Sequence, residues 1–164
     1  MILDTFSLQG KVAMVTGCDT GLGQGMALGL AQAGCDIVGV NVVEPTETAE
    51  KVRALGRQFV SLTADLRDQA VIPDLVSQAV AACGHIDILV NNAGIIRRQD
   101  ALEFSEKDWD DVMNLNIKSV FFLSQAVARQ FIAQGQGGKI INIAPCSRSR
   151  GGSGSPLTPH PRAR

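Results

Sequence analysis

The chain has 164 residues, 45% of them hydrophobic, which is enough for one domain with a real core. Its 15 basic and 16 acidic residues nearly cancel, so no net field draws it to nucleic acid or to an anionic membrane. Cys18, Cys35, Cys83 and Cys146 lack CxxC spacing, the opening MILDTFSLQGK turns polar too early for a secretory leader, and no apolar run approaches the ~20 residues that span a bilayer; together these predict unpaired thiols, no zinc site and a soluble cytoplasmic protein.

KVAMVTG, from Lys11 to Gly17, is a short apolar run that predicts a strand. The Gly-rich turn behind it leads into GQGMALGLAQAG, whose apolar residues recur at helical spacing. CDIVGVNV, from Cys35 to Val42, reads as a parallel strand covered on both faces. PTETAEKVRALG comes next as a helix, with Pro45 near its start and Gly56 just past its end. A third strand, QFVSLTADL from Gln58 to Leu66, precedes a helix around VIPDLVSQAVAACG that tolerates Pro73 in its first turns. IDILVNNAG is the fourth strand. SEKDWDDVMNLNIKSVFFLSQAVARQFIAQG is a long helical stretch opened by a Ser105 cap, with the Asp108 carboxylate three residues on. KIINIA, from Lys139 to Ala144, is the fifth strand.

Strands separated by helices at this cadence predict an α/β fold, a Rossmann-type doubly wound parallel sheet with right-handed crossovers. No internal boundary is visible before Ala144. Residues 145–164 are of another kind, with four Pro, four Ser, four Arg and three Gly, and such a composition predicts a disordered tail.

TGCDTGLG sets Gly17, Gly21 and Gly23 between the first strand and its helix. Gly17 suits a tight turn, Gly21 lets the backbone approach a diphosphate, and Gly23 permits close helix packing, while the helix N-terminus stabilises the negative charge. A phosphate-binding loop of the GK[ST] type is excluded, so an adenine dinucleotide is the expected ligand. At the end of the second strand Asn41, with Glu44 nearby, is the candidate for the ribose diol. Neither Asn41 nor the Gly-rich turn supplies Arg or Lys, which favours NAD over NADP. Asp65 and Leu66 fall where adenine would lie, and Asn91 to Gly94 end the fourth strand on the same sheet edge. Asn116 is poorly explained by helix propensity alone. Lys107, Asp108, Asp110 and Asp111 read as a charged helix face, with Trp109 packing. His85 and His160 have no complementary Asp or Cys arrangement, so neither a metal site nor a His triad is expected.

In this order, TGxxxGxG from Thr16, NNAG and NLNIKSVFF resemble the short-chain dehydrogenase/reductase family, and the resemblance runs over residues 1–144. It implies that Thr16, Gly17, Gly21, Leu22 and Gly23 hold the diphosphate and adenosine, that Asp65 and Leu66 border adenine, and that Asn91, Ala93 and Gly94 line the cofactor side of the fourth strand. It implies a catalytic role for Asn116, keeping a water in the proton relay. The implied activity is NAD-dependent interconversion of a hydroxyl and a keto group on a 2-deoxy or 3-deoxy sugar acid. The implied partners are that small-molecule sugar acid and, for the full-length family, three further copies in a homotetramer, with no nucleic acid and no membrane.

The family's chemistry also needs a Ser to polarise the substrate oxygen, a Tyr as acid/base, and a Lys that lowers the Tyr pKa. By the family's spacing those slots fall on Pro145, Thr158 and Arg162, and the chain contains no Tyr. The triad, and with it the C-terminal part of the fold, is therefore expected to be missing, and the 164 residues are expected to turn over little. The alternative is a dinucleotide-binding or interaction protein without catalysis. A one-base shift of reading frame after Ala144 accounts for the tail: Tyr-Thr-Ala-Ser-Lys encoded as TAC ACC GCA TCC AAG gives Thr-Pro-His-Pro-Arg, residues 158–162, when read one base on.

Overall fold

A computed structural model describes residues 2–144; Pro145, Cys146, Thr158, His160 and Arg162 lie outside the described residues. After a 3-10 turn at Ile2–Phe6 the order is β1 (Val12–Thr16), α1 (Gly21–Gln32), β2 (Asp36–Asn41), α2 (Thr46–Ala54), β3 (Phe59–Thr63) and α3 (Ile72–Cys83). It continues with β4 (Ile88–Asn91), α4 (Glu106–Met113), α5 (Ser119–Gln134) and β5 (Lys139–Asn142). The five strands form one parallel sheet in the order β3-β2-β1-β4-β5. The chain builds outward from β1 to β3 and then returns to the other side of β1 for β4. A crevice at the C-terminal strand ends between β1 and β4 is the outcome of that reversal.

The near-continuous apolar strands result from burial on both faces. Every residue of β1 is buried. Met14 joins Val38, Leu89, Leu75, Leu123 and Phe131 in the core under α3 and α5, whereas Ala13 and Val15 join Ile37, Val90, Ala27 and Val52 under α1 and α2. The period of two thus serves two helical layers at once, as a doubly wound sheet requires. At the opposite end of the sheet the buried Asp87 accepts from the Val12 amide at 2.9 Å and from Lys11 Nζ at 3.1 Å. His85 Nε2 lies 3.0 Å from the same carboxylate. This corrects the expectation that His85 has no complementary Asp, although the group ties the N-terminal strand ends together and lies away from the crevice.

Several element boundaries differ from expectation by a few residues: β4 ends at Asn91, so Asn92 to Gly94 form a loop, and β5 ends at Asn142. Two further differences shape the crevice. β3 stops at Thr63, and Ala64 to Leu66 leave the ladder, with the Ala64 amide still bonded to Asn41 O at 2.9 Å. The long helical stretch from Ser105 is not uniform: a π-helical turn at Asn114–Lys118 joins α4 to α5. Such a turn inserts a residue and rotates the facing of the helix beyond it. It brings Asn116 to the loop after β4 while Leu123, Val127 and Phe131 stay buried on α5. The Ser105 cap is as expected, its hydroxyl accepting from the Asp108 amide at 3.1 Å and donating to the Asp108 carboxylate at 2.7 Å.

Candidate functional site

The C-terminal strand ends open on a cleft of about 350 Å³. The β1 turn contributes Gly17 and Asp19, β2 contributes Val40 to Val42, and the segment after β3 contributes Ala64 to Arg67. Ala93 to Ile95 and Arg97 come from the loop after β4, and Leu115 from the π-helical turn.

The Gly-rich turn is shaped by contacts that exclude side chains. Gly17 has φ +65°, and a Cβ there would meet Ala93 Cα at 3.0 Å. A Cβ on Gly23 would strike the Gly17 carbonyl and the Asn92 amide nitrogen, so α1 can approach the turn only with glycine at that position. Thr20, at the N-cap of α1, makes no side-chain cap hydrogen bond, which leaves the first amides of α1 without a side-chain acceptor. Glycines with no Cβ in front of an uncapped helix start are the features that suit a diphosphate, so the residues present fit a dinucleotide. Gly21 opens α1 with φ +58°, and Leu22 beside it is 76% exposed.

β4 is stitched to this turn. Thr16 Oγ1 accepts from the amides of Asn92 and Ala93 at 3.0 and 2.9 Å. Asn92 Nδ2 donates to the carbonyls of Thr16 and Gly17 at 3.1 and 2.8 Å. Asn92 is not among the expected site residues, although the NNAG run holds the signal. Its neighbour Asn91 is expected to line the cofactor side. Instead it is buried and donates to Ser124 Oγ and Asn142 Oδ1 at 3.0 and 2.9 Å, bracing β4 against α5 and β5. Alternation along a strand sends neighbouring residues to opposite faces, which is why one Asn serves the turn and the other the sheet.

Asn41 also differs from expectation. It reaches the cleft wall, but its Oδ1 accepts from the Cys18 amide at 2.7 Å and its Nδ2 lies 3.5 Å from Cys18 Sγ. It is a buried anchor of the turn, with its side-chain oxygen directed at the Cys18 amide. Thr48 of α2 supports the same turn by donating to Cys18 O at 2.7 Å, and Gln24 Nε2 donates to Thr48 Oγ1 at 3.0 Å. Burial pushes the Cys18 thiol up, and the Cys35 thiol up to about 11, so both stay protonated near neutrality. Cys18, Cys35 and Cys83 are free thiols.

Asp65 and Leu66 line the cleft, and Asp65 has a partner. Arg67 grips its carboxylate through Nε at 3.0 Å and Nη2 at 2.6 Å, which holds Asp65 below the usual carboxylate range. Arg67 Nη1 is 3.7 Å from Asp111, and Arg97 reaches Asp108 at 3.3 Å and Asp111 at 3.7 Å. Part of the charged face of α4 therefore meets the cleft rim. Asn116 clamps the loop after β4, its Oδ1 accepting from the Ile95 amide and its Nδ2 donating to the Ile95 carbonyl, both at 2.9 Å. Ala93 and Gly94 lie in the wall that this clamp fixes. Among the described residues no group of three or more His, Cys, Asp or Glu could hold a metal ion, and no helix is long and apolar enough to cross a membrane.

Residues 11–155 match the family profile described as short chain dehydrogenase. The chain is 78% identical over 152 residues to the 2-dehydro-3-deoxy-D-gluconate 5-dehydrogenase of Escherichia coli (strain K12), covering 93% of this chain and 60% of that relative. It therefore spans about 60% of the length of the curated relative it matches. Among solved structures, one from Agrobacterium Tumefaciens with bound NADP is 45% identical with a TM-score of 0.75, covering 85% of this chain and 55% of that one. A short chain dehydrogenase from Mycobacterium paratuberculosis bound to NAD is 32% identical with a TM-score of 0.78, covering 83% and 56%.

Proposed function

The chain belongs to the short chain dehydrogenase family, and on that footing we propose that its cleft binds NAD for an oxidoreductase that interconverts a hydroxyl and a keto group on a 2-deoxy or 3-deoxy sugar acid. The observation that carries the reading is the Gly17 to Gly23 turn before an uncapped α1, placed beside the crevice where the strand order reverses. Gly17, Gly21, Leu22 and Gly23 would hold the diphosphate, and Thr16 and Asn92 fix the turn. Asp65 and Leu66 would border adenine, and Ala93 and Gly94 the nicotinamide half. When bound, NAD supplies the site that accepts or delivers a hydride. Asn116 holds Ile95 on both sides and, by the family's pattern, retains a water for proton transfer.

The 3-deoxy sugar acid rests on likeness to the E. coli relative, named for 2-dehydro-3-deoxy-D-gluconate, and the 2-deoxy one on likeness to the Agrobacterium Tumefaciens protein, named for 2-deoxy-d-gluconate. Lack of Arg or Lys at Asn41 and in the Gly-rich turn supports NAD over NADP. Free thiols support a cytosolic setting, and the family resemblance supports a homotetramer of the full-length protein. A second reading, dinucleotide binding without turnover, is favoured for these 164 residues by one observation: they include no Tyr to act as acid/base. We assign residues 1–144 to the dinucleotide-binding unit and residues 145–164 to an out-of-frame reading, which the coding DNA around the Ala144 codon tests directly.

The functional test is an assay of 2-deoxy-D-gluconate oxidation with NAD, for the chain itself and for residues 1–144 joined to an ending with Ser, Tyr and Lys at positions 145, 158 and 162. No turnover by the first and turnover by the second is the expected result. Turnover at an ordinary rate by the unaltered chain would refute the Tyr argument. A folded, completed chain that binds NAD yet leaves untouched both 2-deoxy-D-gluconate and, with NADH, the keto product of 2-dehydro-3-deoxy-D-gluconate would refute the substrate class.

A further inference from the structure

We infer that Asp19, on the Gly-rich turn, receives the adenosine ribose diol and turns away a 2'-phosphate. The inference rests on the dinucleotide reading of the cleft and names the residue that decides which dinucleotide is held.

A ribose diol offers two O–H donors, and one carboxylate can accept both while repelling the phosphate of NADP. Four side chains near the end of β2 could play this part. Asn41 is disfavoured because it is buried, is neutral, and turns its one acceptor oxygen to the Cys18 amide at 2.7 Å. Glu44 accepts from Ser61 Oγ on β3 at 2.7 Å and does not line the cleft. Asp65 is held in the Arg67 fork, whose positive charge offsets its own. Asp19 lines the cleft beside Gly17, and its carboxylate has no partner among the described residues. Its carbonyl is fixed toward α2, receiving Thr48 Oγ1 at 3.3 Å and Gln24 Nε2 at 3.4 Å, so the residue is held in place without its carboxylate being consumed.

The cationic groups of the cleft give Asp19 its consequence. Arg67 and Arg97 both line it, and either guanidinium could pair with a phosphate by exchanging its present carboxylate partner. The choice against NADP therefore depends on a negative charge elsewhere in the cleft, and Asp19 is the carboxylate not already paired.

The test is calorimetric titration of NAD and NADP into the unaltered chain, Asp19→Asn and Asn41→Ala. Asp19→Asn should weaken NAD about tenfold and shift the NAD-to-NADP affinity ratio toward NADP by tenfold or more. Asn41→Ala should weaken both and leave the ratio within about twofold, since it loosens the turn without changing charge. Asp19→Ser replaces the Asn variant if that one does not fold, with the same shift expected. A ratio unchanged by the loss of the Asp19 carboxylate, or one that moves with Asn41 instead, overturns the assignment. Binding of neither dinucleotide by the folded unaltered chain overturns the dinucleotide reading and this assignment with it.

Discussion

Gly23 and Asn116 are single residues whose replacement tests how the site is held. Gly23→Ala drives a methyl group into the Gly17 carbonyl and Asn92. The expected cost is about 1–3 kcal/mol of stability, typical of overpacking, and NAD binding should fall with it; urea unfolding and NAD titration measure the two effects. Asn116→Ala removes both bonds to Ile95. With a net value of about 0.5–1.5 kcal/mol per hydrogen bond, the loss should total about 1–3 kcal/mol, again read by urea unfolding. Cys35 gives a pH signature: its thiol, at about 11 in the fold, stands above the ordinary thiol value of 9.0. A raised pKa contributes stability that is whole below the unfolded value and lost as pH rises through the folded one. Urea midpoints should therefore decline between about pH 9 and pH 11, less steeply in Cys35→Ala. The glycine positions are legible in the sequence because the Cβ itself is the constraint. Asn41 and Asn91 mislead because strand position gives where a side chain starts and leaves open that Cys18 and Ser124 claim it.

The elements around the cleft are joined by charge as well as by packing. Asp111 of α4 faces Lys107, Arg67 and Arg97, and the Lys107 ammonium foremost holds it below the usual carboxylate range. Asp65, gripped by Arg67, is lowered too. A lowered carboxylate contributes stability present above its unfolded pKa and lost as pH falls through the folded value. Protection of the α4 amides, relative to their intrinsic exchange at each pH, should accordingly fall below about pH 4 and at high salt, with little change in the core helices. Asp111→Asn should reproduce that loosening at neutral pH, and unchanged exchange in α4 would contradict it. Helix α4 and its cap are readable from Ser105 and Asp108. The π-helical turn is not, because the apolar spacing of LNIKSVFFL fits a regular helix and only the partnership of Asn116 with Ile95 reveals the break.

At the scale of the whole molecule, five parallel strands and two helical layers arise from the alternation of apolar strands with amphipathic helices, and that architecture is legible throughout the sequence. The cleft is legible in outline, since strand order places the first turn, the third strand and NNAG on one edge. Its charge balance is not, because Arg67, Arg97 and Asp19 meet only in three dimensions. The proposed dinucleotide site, in residues that lack a Tyr, predicts binding uncoupled from turnover. The most direct measurement is calorimetric titration of NAD into the folded 164-residue chain. Saturable binding at one site per chain, weakened by Gly23→Ala, is the predicted result. A folded chain that gives no saturable NAD binding would contradict the dinucleotide assignment.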